Sequence, residues 1–95
     1  MSKASTLGKQ TASAIQNNHR CSVSFIKLVE AGADSTLTLY DTNSTGTSEG
    51  RIIDYLEVAS GDGAVGGPLT TPLEFKNGVY AVLTGASAYY FIHTV

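Results

Sequence analysis

From residue 21 onward, apolar and polar residues alternate with a period of two, in short runs separated by glycine-rich and polar turns. Alternation of this kind places successive side chains on opposite faces of an extended strand, so it confines the chain to sheets. Cys21, Val23 and Phe25 alternate with Ser22 and Ser24, and then Ile26 and Leu28 carry the apolar phase around Lys27. The apolar face therefore changes sides near Phe25-Ile26, as happens where a strand passes a bulge or is buried on both faces. Ala31-Gly32-Ala33-Asp34 predicts a turn, and Leu37 and Leu39 predict a half-buried strand with Thr36, Thr38 and Tyr40 outward.

A polar loop is expected from Asp41 to Gly50, followed by a strand from Arg51 to Ala59. Ile52, Tyr55, Leu56 and Ala59 also fall at helical spacing, but the β-branched content and the following Gly61-Asp62-Gly63 favour a strand. Ser60 to Pro68 reads as a flexible glycine-rich connection. Pro68 to Phe75 reads as an edge strand, because Pro68 and Pro72 each remove a backbone donor. Lys76-Asn77-Gly78 predicts a tight hairpin with a type I′ turn. Its second arm is Val79 to Thr84, and a last strand runs from Ala88 to Val95. The total is about seven strands at roughly ten-residue spacing, which predicts an all-β, single β-sandwich or jelly-roll-like domain over residues 21–95.

Residues 1–20 are different. They are mostly Ser, Thr, Ala, Asn, Gln and Lys, with isolated Leu7 and Ile15, too little apolar surface to order a segment alone. An extended, flexible N-terminal arm is expected, with Thr11 to Ile15 able to add an edge strand. Up to residue 20 the chain carries Lys3, Lys9 and Arg20 and no acid, whereas the remainder holds all eight acids against three cations. Three positive charges are too few for nucleic acid, where several phosphates must be neutralised. They suit an acidic protein surface, which makes Lys3, Lys9 and Arg20 candidate partner contacts. The last strand is apolar on both faces, so Tyr89, Tyr90 and Phe91 are further candidates: such a strand is central in its sheet or pressed against a neighbouring subunit.

Catalytic and metal chemistry find little footing. Cys21 is the only cysteine, so no disulfide forms within the chain, and a small buried strand residue is its expected role. His19 and His93 with Cys21 do not make the close ligand pairs of a zinc site. Asp41-Thr42-Asn43-Ser44-Thr45-Gly46 opens like a calcium loop, yet Ile52 stands where the bidentate Glu is needed. The glycine-rich stretch from Gly61 to Gly67 lacks the Gly-Lys-Ser/Thr ending of a phosphate cradle, and no nucleophile elbow is present. The expectation is a protein without enzymatic activity or cofactor. Five tyrosines and no tryptophan leave a sugar-binding face open as an alternative. No apolar run approaches the ~20 residues of a membrane-spanning helix, and no secretory leader is apparent, so a soluble protein made in the cytoplasm is expected.

Three segments carry a likeness to known proteins. Leu37-Thr38-Leu39-Tyr40-Asp41 followed by a Ser/Thr/Asp loop, the glycine-rich Gly61 to Gly67, and Pro72-Leu73-Glu74-Phe75-Lys76-Asn77-Gly78-Val79-Tyr80-Ala81 occur in that order. The arrangement resembles small β-sandwich virion proteins of tailed bacteriophages, which decorate or cement the head or form parts of the neck, tail or fibre. The likeness is loose over residues 20–95, and the Pro68/Pro72 pair and the bulky terminal strand depart from it. It implies a virion structural protein, made in the bacterial cytoplasm, that docks on the major capsid protein or other virion proteins. It also implies a homo-oligomer, with a trimer as the guess. The alternative implied is a carbohydrate-binding or host-recognition module of a tail or fibre.

Overall fold

The computed structural model describes residues 5–6, 8–45 and 51–94. Eight strands are found there: β1 (Ser5–Thr6), β2 (Ala14–Asn17), β3 (Cys21–Val29), β4 (Ser35–Asp41), β5 (Arg51–Val58), β6 (Ala64–Phe75), β7 (Val79–Thr84) and β8 (Tyr89–Thr94). They form two four-stranded antiparallel sheets, the first in the order β1-β8-β3-β6 and the second in the order β2-β7-β4-β5. The pairings β1–β8, β2–β7, β3–β6 and β4–β5 are nested, like one long hairpin with its tip between β4 and β5. Rolling that hairpin brings β8 against β3 and β7 against β4. This is the arrangement of a jelly roll, so the all-β sandwich expected from the alternation is the fold.

The core lies between the sheets. Val23, Ile26, Leu28, Tyr90 and Ile92 of the first sheet meet Leu37, Leu39, Val79 and Ala81 of the second, all essentially closed to solvent. The phase change in β3 is real. Val23 pairs with Thr94 and Phe25 with His93, so Ser24 is the extra residue of a bulge. Before it Cys21 and Val23 point inward, and after it Ile26 and Leu28 do.

Several local expectations are corrected. The segment expected as a free arm supplies two outer strands: β1 pairs with β8, Gln10 bridges Tyr90, and β2 pairs with β7. Its composition does lack apolar surface. What holds it is backbone pairing, together with the hydroxyl of Tyr90, which donates to Ala12 O at 2.8 Å. The edge strand expected from Thr11 to Ile15 is found slightly later, as Ala14–Asn17.

The Lys76-Asn77-Gly78 turn is no hairpin, because β6 and β7 belong to different sheets. Only Gly78 there has a positive φ, of 145°, and a Cβ on it would sit 2.5 Å from Asn17 O. The turn is built for close approach to β2 and not for the two positive φ angles of type I′. The glycine-rich connection also narrows, since Ala64 to Pro68 pair with Val29 to Phe25 as the first half of β6. Gly66 permits this: its φ is 101°, and a Cβ would run into the Ile26 carbonyl oxygen. β6 is an edge strand, as its prolines required, and Leu69 to Pro72 bulge out between its two paired halves.

Candidate functional site

Each sheet has an outer face, and both carry side chains that a purely solvated surface would not need. On the second sheet, Ile15 of β2, Tyr80 of β7, Tyr40 of β4 and Ile52 of β5 stand in register and form one apolar row across four strands. The Tyr40 and Tyr80 rings lie 6.3 Å apart at a tilt of 34°. Val82, Thr38 and Tyr55 form the next row, and Thr84, Thr36 and Glu57 the third. The face thus grades from apolar to polar, ending in a Thr36–Thr84 hydroxyl pair at 2.5 Å.

The large exposed apolar residues are concentrated. Ile52 is 56% exposed and Tyr55 50%, and both stand on β5. β5 is an edge strand, and two other edges are blunted in recognisable ways. β2 has four residues and a register shift, and β6 has two prolines and a wide bulge. β5 has eight residues and no proline, and from Asp54 to Val58 it pairs with β4 without interruption. Short strands, prolines and bulges are how sheets avoid edge-to-edge association, and β5 lacks all of these over that stretch. One device remains: Asp54 Oδ1 accepts the Tyr55 N–H at 2.9 Å, so a side chain answers one of the donors of this strand.

On the first sheet, Phe25 and Lys27 of β3 stand opposite His93 and Phe91 of β8. These four residues, with Ile92 between the last two, line a shallow pocket of about 410 Å³. The two phenyl rings occupy one diagonal of the quartet, and the ammonium and imidazole occupy the other. Phe91 meets the Tyr89 ring edge-on at 5.8 Å and 82°, and the Lys9 ammonium lies 4.6 Å above the Tyr89 ring. Among the described residues His93 Nε2 is closed to solvent and has no hydrogen-bond partner.

Of the residues expected to meet a partner, Lys3 lies outside the described residues. Lys9 and Tyr89 are brought together as a cation–π pair, whereas Arg20 is exposed in the turn between β2 and β3. Phe91 faces outward beside Tyr89, but Tyr90 does not belong with them. It is fully buried, because alternation along β8 turns it inward. Its hydroxyl donates to Ala12 O and accepts Gln16 Nε2–H at 3.0 Å. Burial pushes its pKa up to about 12, opposed by the Gln16 hydrogen bond and aided by Tyr80. The residues sequence reasoning passed over are Phe25, Lys27 and Ile52, while Tyr55 was weighed only as one of five tyrosines of a sugar-binding face. A signal existed for the last two, since Ile52, Ile53, Tyr55 and Leu56 give β5 apolar residues on both faces.

Cys21 and Asp41 are tied into the fold. Cys21 is buried, and its thiol pKa is raised by that burial and by the nearby charges of Asp41 and Glu74. Asp41, which opens the calcium-like loop, accepts the Asn77 N–H at 2.8 Å and so fastens β4 to the β6–β7 turn. Among the described residues no group of three or more His, Cys, Asp or Glu side chains is gathered to hold a metal. His19 is exposed, and its backbone N–H is held by Asn17 Oδ1 at 2.9 Å. Compared with family models, with curated proteins and with solved structures, the chain matches none.

Proposed function

We propose that this chain is a non-enzymatic structural protein that docks on other protein subunits, as the decoration and cement proteins of virus particles do. The observation that carries the reading is on β5: among the described residues both exposed large apolar side chains stand there, Tyr55 within the unbroken edge Asp54–Val58 and Ile52 just past the register shift that precedes it. Contiguous apolar surface beside an open strand edge is the mark of a protein interface. The occupant proposed for this edge is a second copy of the chain, within a small ring that then sits on the major capsid protein of a phage assembled in the bacterial cytoplasm. The jelly roll is compatible with this, since viral coat domains use it. Lectins and cupins use it too, so the fold alone does not choose among them.

The mechanism is physical. Adding strands at β5 satisfies edge donors and acceptors and brings neighbouring side chains against Ile52 and Tyr55. That burial supplies about 25 cal/mol per Å² of apolar surface removed from water. The test is the solution mass by light scattering of the chain and of an Ile52→Ser, Tyr55→Ser double variant. The reading predicts an oligomer, a dimer where two β5 edges pair with each other or a trimer where β5 seats against another surface of the next copy, and a monomer of unchanged circular dichroism for the variant. A monomeric parent, or an oligomer that the variant leaves intact, contradicts it. A second reading, a glycan-binding or host-recognition module, is favoured by a separate observation, the ring-lined quartet on the opposite sheet.

A further inference from the structure

We infer that the quartet Phe25, Lys27, Phe91 and His93 on the outer face of the first sheet is a binding site for a sugar ring carrying a carboxylate. The site is independent of the β5 edge, which belongs to the other sheet. Its volume of about 410 Å³ lies within the range of small-ligand sites, roughly 300–1,000 Å³. The lining is two phenyl rings, a lysine, a histidine and Ile92, with no acid. Among the described residues the lysine is the one charged group of the lining, which in a chain of net charge −2 makes this a place that favours anions.

The diagonal arrangement narrows the ligand. Cross-strand neighbours in a sheet stand about 5 Å apart at Cβ, so the quartet spans roughly one six-membered ring. A ring laid across it stacks its C–H face on Phe25 and Phe91. Its two edges then reach the Lys27 ammonium on one side and the His93 imidazole on the other. Lys27 pairs with a carboxylate, and the His93 ring borders the opposite edge of the sugar. The Phe91 ring is already fixed by its edge-on contact with Tyr89, and Tyr89 is in turn covered by Lys9. Such pre-ordering lowers the entropy cost of binding.

The remaining wall favours an extended glycan over a sealed small molecule. The β6 partner of Lys27 is Gly66, which projects no side chain, so the groove is open on that side. Nucleic acid also combines stacking with positive charge. It needs a track of cations for successive phosphates, and this lining has a single lysine.

The test is an NMR titration of the full chain with sodium glucuronate, with N-acetylneuraminate, with glucose and with a short oligothymidylate. It is repeated on Lys27→Met and Phe91→Ala, whose folds are checked by circular dichroism. The expected result is saturable shifts at the amides of residues 25–27 and 91–93 with at least one acidic sugar. Glucose should bind about tenfold more weakly, the value of one charge-assisted hydrogen bond. The two acids separate a uronic from a sialic source. Lys27→Met should erase the preference for acid over neutral sugar, while Phe91→Ala should weaken both. The inference is overturned by no saturable shift with either acid, by an equal response to glucose, by a preference that survives Lys27→Met, or by a response to oligothymidylate alone. Phe91→Ala serves as a second check only where it stays folded, and Lys27→Met carries the decision where it does not.

Discussion

Tyr90 and Gln16 lie 74 residues apart in sequence and share a buried hydrogen bond. Through its hydroxyl and through the paired backbone of Gln10, Tyr90 holds the first described segment against the body. Tyr90→Phe removes the donor to Ala12 O and the acceptor for Gln16 while keeping the ring. The expected loss is about 1 kcal/mol, read as a lower denaturation midpoint, because two hydrogen bonds are lost while Gln16 Nε2 keeps Ala14 O and the exposed Ala12 carbonyl can meet water. The same hydroxyl sets an alkaline limit. Its folded pKa of about 12 exceeds the ordinary tyrosine value near 10, so the folded state holds a proton that the unfolded state has already lost. The contribution is complete below pH ~10 and declines as pH rises from there toward 12. In the Tyr90→Phe variant the fall in stability over that window should be shallower than in the parent; an equal fall would place the cause elsewhere. None of this was legible in the sequence. A tyrosine in a strand that is apolar on both faces looks the same whether its hydroxyl meets water, a partner or a buried amide.

At the scale of elements, what could be read was whatever depends on a strand's own pattern. The bulge in β3 showed as a change of apolar phase around Ser24, and the edge position of β6 showed in Pro68 and Pro72. What failed depends on where a strand goes next. Asn77-Gly78 announces a reversal of direction, but local turn chemistry does not say whether the chain returns to the same sheet or crosses to the other. Of the early strands β2 was expected, a few residues early, whereas β1 was hidden because backbone pairing, which composition does not display, holds it. The far end of the sandwich shows the same kind of non-local tie. Glu30 accepts backbone N–H groups from Gly32 at 2.7 Å, Gly63 at 2.8 Å and Gly61 at 3.0 Å, clasping the turn after β3 to the turn before β6. These bonds lower its pKa, with Gly32 the largest cause and Gly63 next. A depressed carboxylate pKa gives stability that is present above the unfolded value of ~4.3 and is lost as pH falls through the folded value. Glu30→Gln should therefore melt below the parent at neutral pH, and the gap should close in acid. A gap that is constant with pH would mean the charge of Glu30 is not what the clasp uses.

For the whole molecule, the two sheets offer different surfaces. The first turns outward a small, ring-lined quartet with one cation, and the second turns outward a broad tyrosine and isoleucine face ending at an open edge. A rolled hairpin creates this division, because it puts β8 in the middle of one sheet and β5 at the border of the other. The two-faced apolar character of β8 and β5 was visible in the sequence, but their positions were not. Consequently Tyr89 to Phe91 stood out as partner contacts, while Ile52 was passed over and Tyr55 was weighed only for a sugar-binding face. Central to the account is that β5 is the edge used for assembly. Hydrogen exchange of the backbone amides, followed as protein concentration is raised, tests this most directly. The account predicts that amides of Arg51–Val58 become slower to exchange as copies associate, while those of the proline-bearing edge Ala64–Phe75 do not change. Exchange along β5 that is independent of concentration, or new protection on β6 instead, would contradict it.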